Sequence, residues 1–133
     1  MSDTPERANL YNATYVATVQ GIGNYNDYRI ELENSPHQAI HSALGGEMNP
    51  STSPNEPLFF LHHTQIDRLW WQWQEKDLAV RELDYSGGSW NKTSSNAGGV
   101  ASLEDVLPML GLVKDITVRE AMSTKNALFC YTY

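Results

Sequence analysis

The chain has 133 residues, 41% of them hydrophobic and 19% charged, with a formal net charge of −7 at pH 7. That length predicts a single domain over residues 1–133, able to bury about two-thirds of the surface its unfolded chain exposes. The acidic balance argues against nucleic acid and anionic membrane as partners, and no apolar run approaches the length of a membrane span.

The N-terminal text MSDTPERANL is polar and reads as no secretory signal, so a native start at Met1 would make the chain cytoplasmic. A helix is expected within residues 6–20, carrying Leu10, Tyr11, Ala13, Val16 and Ala17 as apolar positions. Gly21 to Asn24 breaks it, and Asn24 suits the cap of a short helix running to Glu33. A helix near 36–44 follows, with Pro36 in its first turn and Gly45-Gly46 as its stop. Met48 to Asn55 reads as a loop. The clearest helix runs from about Glu56 to Lys76, with Phe59, His63, Ile66, Trp70 and Trp73 on one face, spaced by threes and fours. Tyr85 to Gly99 is rich in Gly, Ser and Asn and reads as an exposed loop. Ser102 to Asp105 resembles a capping box, so helices are expected near 102–107 and 117–122, and Ala127 to Tyr133 reads as a short strand. Asn12-Ala13-Thr14 and Asn91-Lys92-Thr93 are glycosylation triplets of a kind that arises often by chance. The single Cys130 has no internal disulfide partner and reads as a small buried hydrophobe.

The stretch from His37 to Gln74 holds all four histidines. His37 and His41, four apart, project from one face of a helix. His62 and His63 are adjacent on the next long helix. Neutral imidazole is a good ligand for copper, zinc and iron, so two facing helices of this kind can close a three-histidine metal site. Adjacent helical residues diverge by about a third of a turn, so His62 and His63 do not easily reach the same ion. Asp67, one turn after His63, is placed to hold the ring N–H of a ligand, or to pair with Arg68. Phe59, one turn before His63, is placed to wall a pocket or fill the core. Three indoles at Trp70, Trp71 and Trp73 cannot all face inward.

The pattern HxxxH, then Gly45, Gly46 and Met48, then Ser53, Pro54, Asn55 and Pro57, then Phe59, Phe60, His62, His63, Asp67, Arg68, Trp70 and Trp73, resembles the second copper-binding (CuB) half of tyrosinases, catechol oxidases and their hemocyanin relatives. Tyr131-Thr132-Tyr133 resembles the Tyr-x-Tyr motif that closes the catalytic core of that family. The resemblance implies a mainly α fold: half of a tyrosinase-type four-helix bundle, with long irregular loops and a short C-terminal strand. It implies His37, His41 and His63 as copper ligands, with His62 packing or hydrogen-bonding beside them. Glu33 to His37 resembles the plant-type ENxPH segment, in which the glutamate orients a water near the copper, so Glu33 is a candidate to help deprotonate a phenol. Gln38 stands where the family often has asparagine, one methylene longer, which puts monophenol hydroxylation in doubt. Glu56 stands where the family often has Asp, and Ser42 leaves room above the metal.

A type-3 centre uses two coppers, each held by three histidines, and four histidines supply only one trio. The resemblance therefore implies one copper per chain. The expected activity is oxidation of phenols or o-diphenols to o-quinones with O2, completed by a CuA half, on a longer parent of which this is a truncated piece or on a separate CuA-bearing chain, or by a second copy in a homodimer, with the isolated chain inactive. The competing expectations are a non-catalytic mononuclear copper binder or interaction module, and an oxygen carrier.

Overall fold

In the computed structural model, residues 9–89 and 99–133 are described, and they are mainly helical. The chain divides into two compact units, one of Met1–Gly23 with Asp27–Trp73 and one of Asn24–Asn26 with Gln74–Tyr133.

The first unit begins with α1 (Ala13–Gln20). Asn12 caps it, its side-chain oxygen accepting the Tyr15 N–H at 2.8 Å. Gly21 closes it, donating its N–H to the Ala17 and Thr18 carbonyls. The portion of the expected helix before Asn9 lies outside the described residues. α2 (Tyr25–Leu32) runs without interruption into a π-helical turn, Glu33–His37, and from there into α3 (Gln38–Leu44). Two separate helices were expected here, meeting before Pro36. Instead Pro36 sits inside the π turn, where the widened spacing accommodates a residue with no N–H to give. Gly45, at φ 62° and ψ −151°, ends α3 in a conformation that only glycine adopts freely. Two 3-10 turns, Gly46–Met48 and Ser53–Asn55, lead to α4 (Pro57–Glu75), which fills the range expected for the long helix.

The core of this unit is built on aromatic stacking. Tyr28 and Trp73 are fully buried, with ring centroids 4.7 Å apart and planes 17° from parallel. Val19, Leu32, Ala39, Met48 and Leu69 are buried with them. Two polar groups carried inward bond to backbone carbonyls: Trp73 Nε1 donates to the Ile22 carbonyl at 2.7 Å, and Gln20 Nε2 donates to the Leu69 carbonyl at 2.7 Å. Trp70 and Trp71 are half-buried, so Trp73 alone of the three indoles is enclosed.

The second unit contains α5 (Leu78–Arg81) and two antiparallel pairs, β1 (Gly88–Ser89) with β2 (Gly99–Val100), and β3 (Val106–Leu107) with β4 (Ile116–Thr117). α6 (Val118–Ala121) follows β4, started by a capping box between Thr117 and Glu120. Val118, Met122, Thr124 and Gln74 are buried, and Gln74 Nε2 donates to the Met122 carbonyl at 3.1 Å.

Three expectations change here. Ser102 to Asp105 does form cap-like bonds, Ser102 N–H to Asp105 Oδ2 at 3.0 Å and Glu104 N–H to Ser102 Oγ at 3.1 Å, but a strand follows instead of a helix. Leu107 precedes Pro108, and a residue before proline is pushed out of helical geometry. Residues 127–133 are a turn and a tail, and the short C-terminal sheet is β3 with β4. The Asn126 side-chain oxygen accepts the Leu128 and Phe129 N–H groups, which commits the segment to a turn. Cys130 is an exposed free thiol at φ 50°, not a buried hydrophobe, because this turn carries it outward. The Asn91 triplet, and residues 90–98 of the expected loop, lie outside the described residues.

Candidate metal centre

All four histidines meet between α4 and the π turn with α3. The π turn offers His37, α3 offers His41, and the second turn of α4 offers His62 and His63. A second network braces the π turn from behind. Glu31 accepts hydrogen bonds from Tyr15 Oη and, at 2.9 Å, from the buried Ser35 hydroxyl. Because Ser35 is two residues before His37, this network holds the first histidine against α1.

His41 is buried, and its Nδ1 lies 2.6 Å from the Met48 carbonyl oxygen. A carbonyl only accepts, so Nδ1 carries the hydrogen and Nε2 presents its lone pair. That lone pair faces His63 Nε2 at 3.2 Å. His63 must therefore donate its Nε2–H to His41 in this arrangement. Metal–nitrogen bonds of about 2.0–2.1 Å, opened at a tetrahedral angle, set two ligand nitrogens about 3.3–3.4 Å apart. The observed spacing fits a shared ion with little rearrangement. To ligate, His63 must move that hydrogen to Nδ1, a change of tautomer within the neutral ring.

His37, His41 and His62 can also each bring a ring nitrogen within 4.8 Å of the others. His62, however, directs its Nε2 at the His37 carbonyl oxygen, 3.1 Å away, and must donate there. The His37 and His62 rings lie nearly parallel, 5° apart in plane with centroids at 5.4 Å. Glu33 Oε2 lies 3.1 Å from His37 Nδ1, close enough for charge attraction. It is off the line of a hydrogen bond, so Nδ1 has no hydrogen-bond partner among the described residues.

Burial is the main cause that lowers three of these imidazoles below their ordinary pKa. For His37 the Glu33 carboxylate opposes the shift and His41 adds to it. His62 falls to about 4, burial outweighing its bond to the His37 carbonyl, with the neighbouring histidines adding to the fall. His63 is lowered by burial and then by His37 and His41. Neutral imidazole is the ligating form, so these shifts favour metal binding.

Phe59 covers one side of the centre. Its ring stacks on His63 with centroids 4.0 Å apart. Gln38 is exposed and turns along α3, its Nε2 donating to Ser42 Oγ at 3.3 Å. Asp67 is half-buried one turn beyond His63. Sequence reasoning missed the Met48 carbonyl, since a backbone acceptor leaves no mark in residue type. It also missed the Tyr15, Glu31 and Ser35 network, whose members stand in different elements.

Two helical elements that turn histidine nitrogens onto one another define a helical metal-binding protein. The chain belongs to the tyrosinase family: residues 2–76 match the common central domain of tyrosinase. It is 40% identical over 103 residues to tyrosinase ustQ of Aspergillus flavus, covering 77% of this chain and 28% of that protein. It is 35% identical over 126 residues to the tyrosinase-like protein phomQ1 of Diaporthe leptostromiformis, covering 93% of this chain and 32% of that one. It is 37% identical over 84 residues to the tyrosinase of Streptomyces antibioticus, covering 57% of this chain and 30% of that enzyme. The chain thus spans about a third of the length of the curated relatives it matches. No solved structure matches it.

Proposed function

We propose that this chain supplies one copper half-site of a type-3 copper oxidoreductase that oxidises phenols or o-diphenols to o-quinones with O2. His37, His41 and His63 would hold the copper. The observation that carries this reading is the pair of Nε2 atoms of His41 and His63 at 3.2 Å, with His41 fixed from behind by the Met48 carbonyl. Bound copper would supply redox chemistry and open positions for dioxygen. The protein's own part is to orient, shield and move protons. Phe59 excludes water from the His63 side. Glu33, exposed and beside His37, would accept the proton of an incoming phenol. Gln38 is held along α3 by Ser42, which favours diphenols over monophenols as substrates.

The second copper would come from a CuA half, on a longer parent or on a separate chain, or from a second copy, and these 133 residues alone would be inactive. The count of four histidines also favours a second reading, a mononuclear copper binder without turnover. One experiment separates the two. Load the chain with copper, read chains and coppers per particle by native mass spectrometry, and follow oxygen uptake with a catechol. Two coppers in a two-chain particle with catechol-dependent oxygen uptake support the oxidase. One copper on one chain, inert with catechol even when mixed with a CuA-bearing fragment of a relative, supports the mononuclear binder. No copper bound at stoichiometric loading overturns both.

A further inference from the structure

The four-histidine cluster holds one imidazole that the proposed ligand set leaves over, and its geometry is specific. His62 is half-buried, lies beside the ligand His63 on α4, and aims Nε2 across to the other ligand-bearing segment. Its target is the backbone carbonyl of His37, the residue that offers the first ligand, at 3.1 Å. The ring also lies nearly parallel to the His37 ring. That carbonyl belongs to the last residue of the π turn, the one from which α3 starts.

We propose that His62 is a positioning residue for the metal centre: its Nε2–H clamps the His37 carbonyl, locking the π turn to α4 so that His37 is held at a fixed distance from His41 and His63. This rests on the copper half-site proposed above. A ligand on a π turn has a register that can relax by a residue, and a clamp to the neighbouring helix removes that freedom. The same bond commits the Nε2 of His62 to a carbonyl, so that nitrogen is not offered to the ion. The motif's adjacent histidines then divide their work, one ligating and the other aligning. Outer partners of this sort typically change metal affinity about 10- to 100-fold when removed.

The test compares His62→Phe, which keeps a ring but loses the donor, with His62→Gln, which keeps an N–H donor. Copper affinity is measured by competition with a chelator, and the Cu(II) site by electron paramagnetic resonance. His62→Phe should bind copper about 10- to 100-fold more weakly and show a broadened distribution of copper environments, with the nitrogen count unchanged. His62→Gln should recover most of the affinity. Equal affinity in wild type and His62→Phe overturns the clamp, and so does a copper signal with one nitrogen fewer, which makes His62 a ligand. The clamp is also read without copper. Long-range proton–nitrogen correlation spectra of the metal-free chain at neutral pH should show His62 as the Nε2–H tautomer. An Nδ1–H tautomer overturns the proposal whether or not the chain takes up copper, and wild type that shows the clamp but binds no copper sinks the copper reading instead.

Discussion

The chemistry of the centre turns on which nitrogen of each histidine carries hydrogen, and the backbone decides it. His41 is fixed by the Met48 carbonyl, and Met48 in turn is held by its N–H bond to the Gly45 carbonyl at 3.0 Å. Gly45 stands at φ 62° and ψ −151°, where a Cβ is strained. Gly45→Ala should therefore cost about 1–3 kcal/mol of stability and weaken copper binding together, because the carbonyl that orients His41 moves with the turn. Melting curves with and without copper check this. An alanine variant with wild-type affinity would show that the carbonyl does not set the ligand. The lowered imidazoles also predict a pH dependence. His62 titrates near 4 when folded, against about 6.5 when unfolded. As pH falls, the unfolded chain takes up its proton first, so stability is lost from about 6.5 downward and the loss is complete once pH passes the folded value. His37 and His63 are lowered too and act in the same direction. The metal-free chain should melt several degrees lower at pH 5 than at pH 7.5, and His62→Gln should flatten that slope. An identical slope in the variant would remove His62 from the account.

At the scale of elements, α4 carries both the core and the site. Its C-terminal turns bury Trp73 on Tyr28 while its second turn presents His62 and His63. Trp73→Ala would empty a fully buried site and strand the Ile22 carbonyl, for a loss of about 3–5 kcal/mol. Chemical denaturation measures it, and a loss below about 1 kcal/mol would mean the stack contributes little. Asn12→Ala, at the cap of α1, should cost about 1 kcal/mol in the same assay. The sequence marked α4 well because its apolar spacing, its initial Pro57 and its length agree with one another. It marked the histidine cluster through the same residues, since HxxxH and HH are side-chain signals. The π turn was not legible: widening a helix by one residue per turn leaves the composition unchanged, and Pro36 read as a start. The strand at 106–107 was hidden behind a true capping pattern, because the veto came from Pro108, three residues past the turn. Residues 127–133 alternate as a strand does, yet the Asn126 side chain bonds its own backbone first.

At the scale of the molecule, the first turns of α4 leave apolar side chains uncovered. Leu58, Phe60 and Leu61 are 45%, 60% and 69% exposed, on the same helix as His63. Scattered apolar residues on a surface are ordinary, but three within four positions beside a metal centre form a patch. In a centre completed by a second set of helices, such a patch is where those helices would pack, and the four histidines of these 133 residues supply only one of the two trios. The isolated chain should accordingly self-associate at micromolar concentration or bind a hydrophobic dye. Replacing Phe60 with Ser and Leu61 with Gln should reduce both without lowering the melting temperature, since neither side chain contributes much to the core. The variant should still bind copper, because its histidines are unchanged, yet lose any catechol oxidation that depends on a second copy. Sedimentation velocity and dye fluorescence on wild type and variant decide the matter. A wild-type chain that sediments as a compact, dye-silent monomer would show that this face needs no cover.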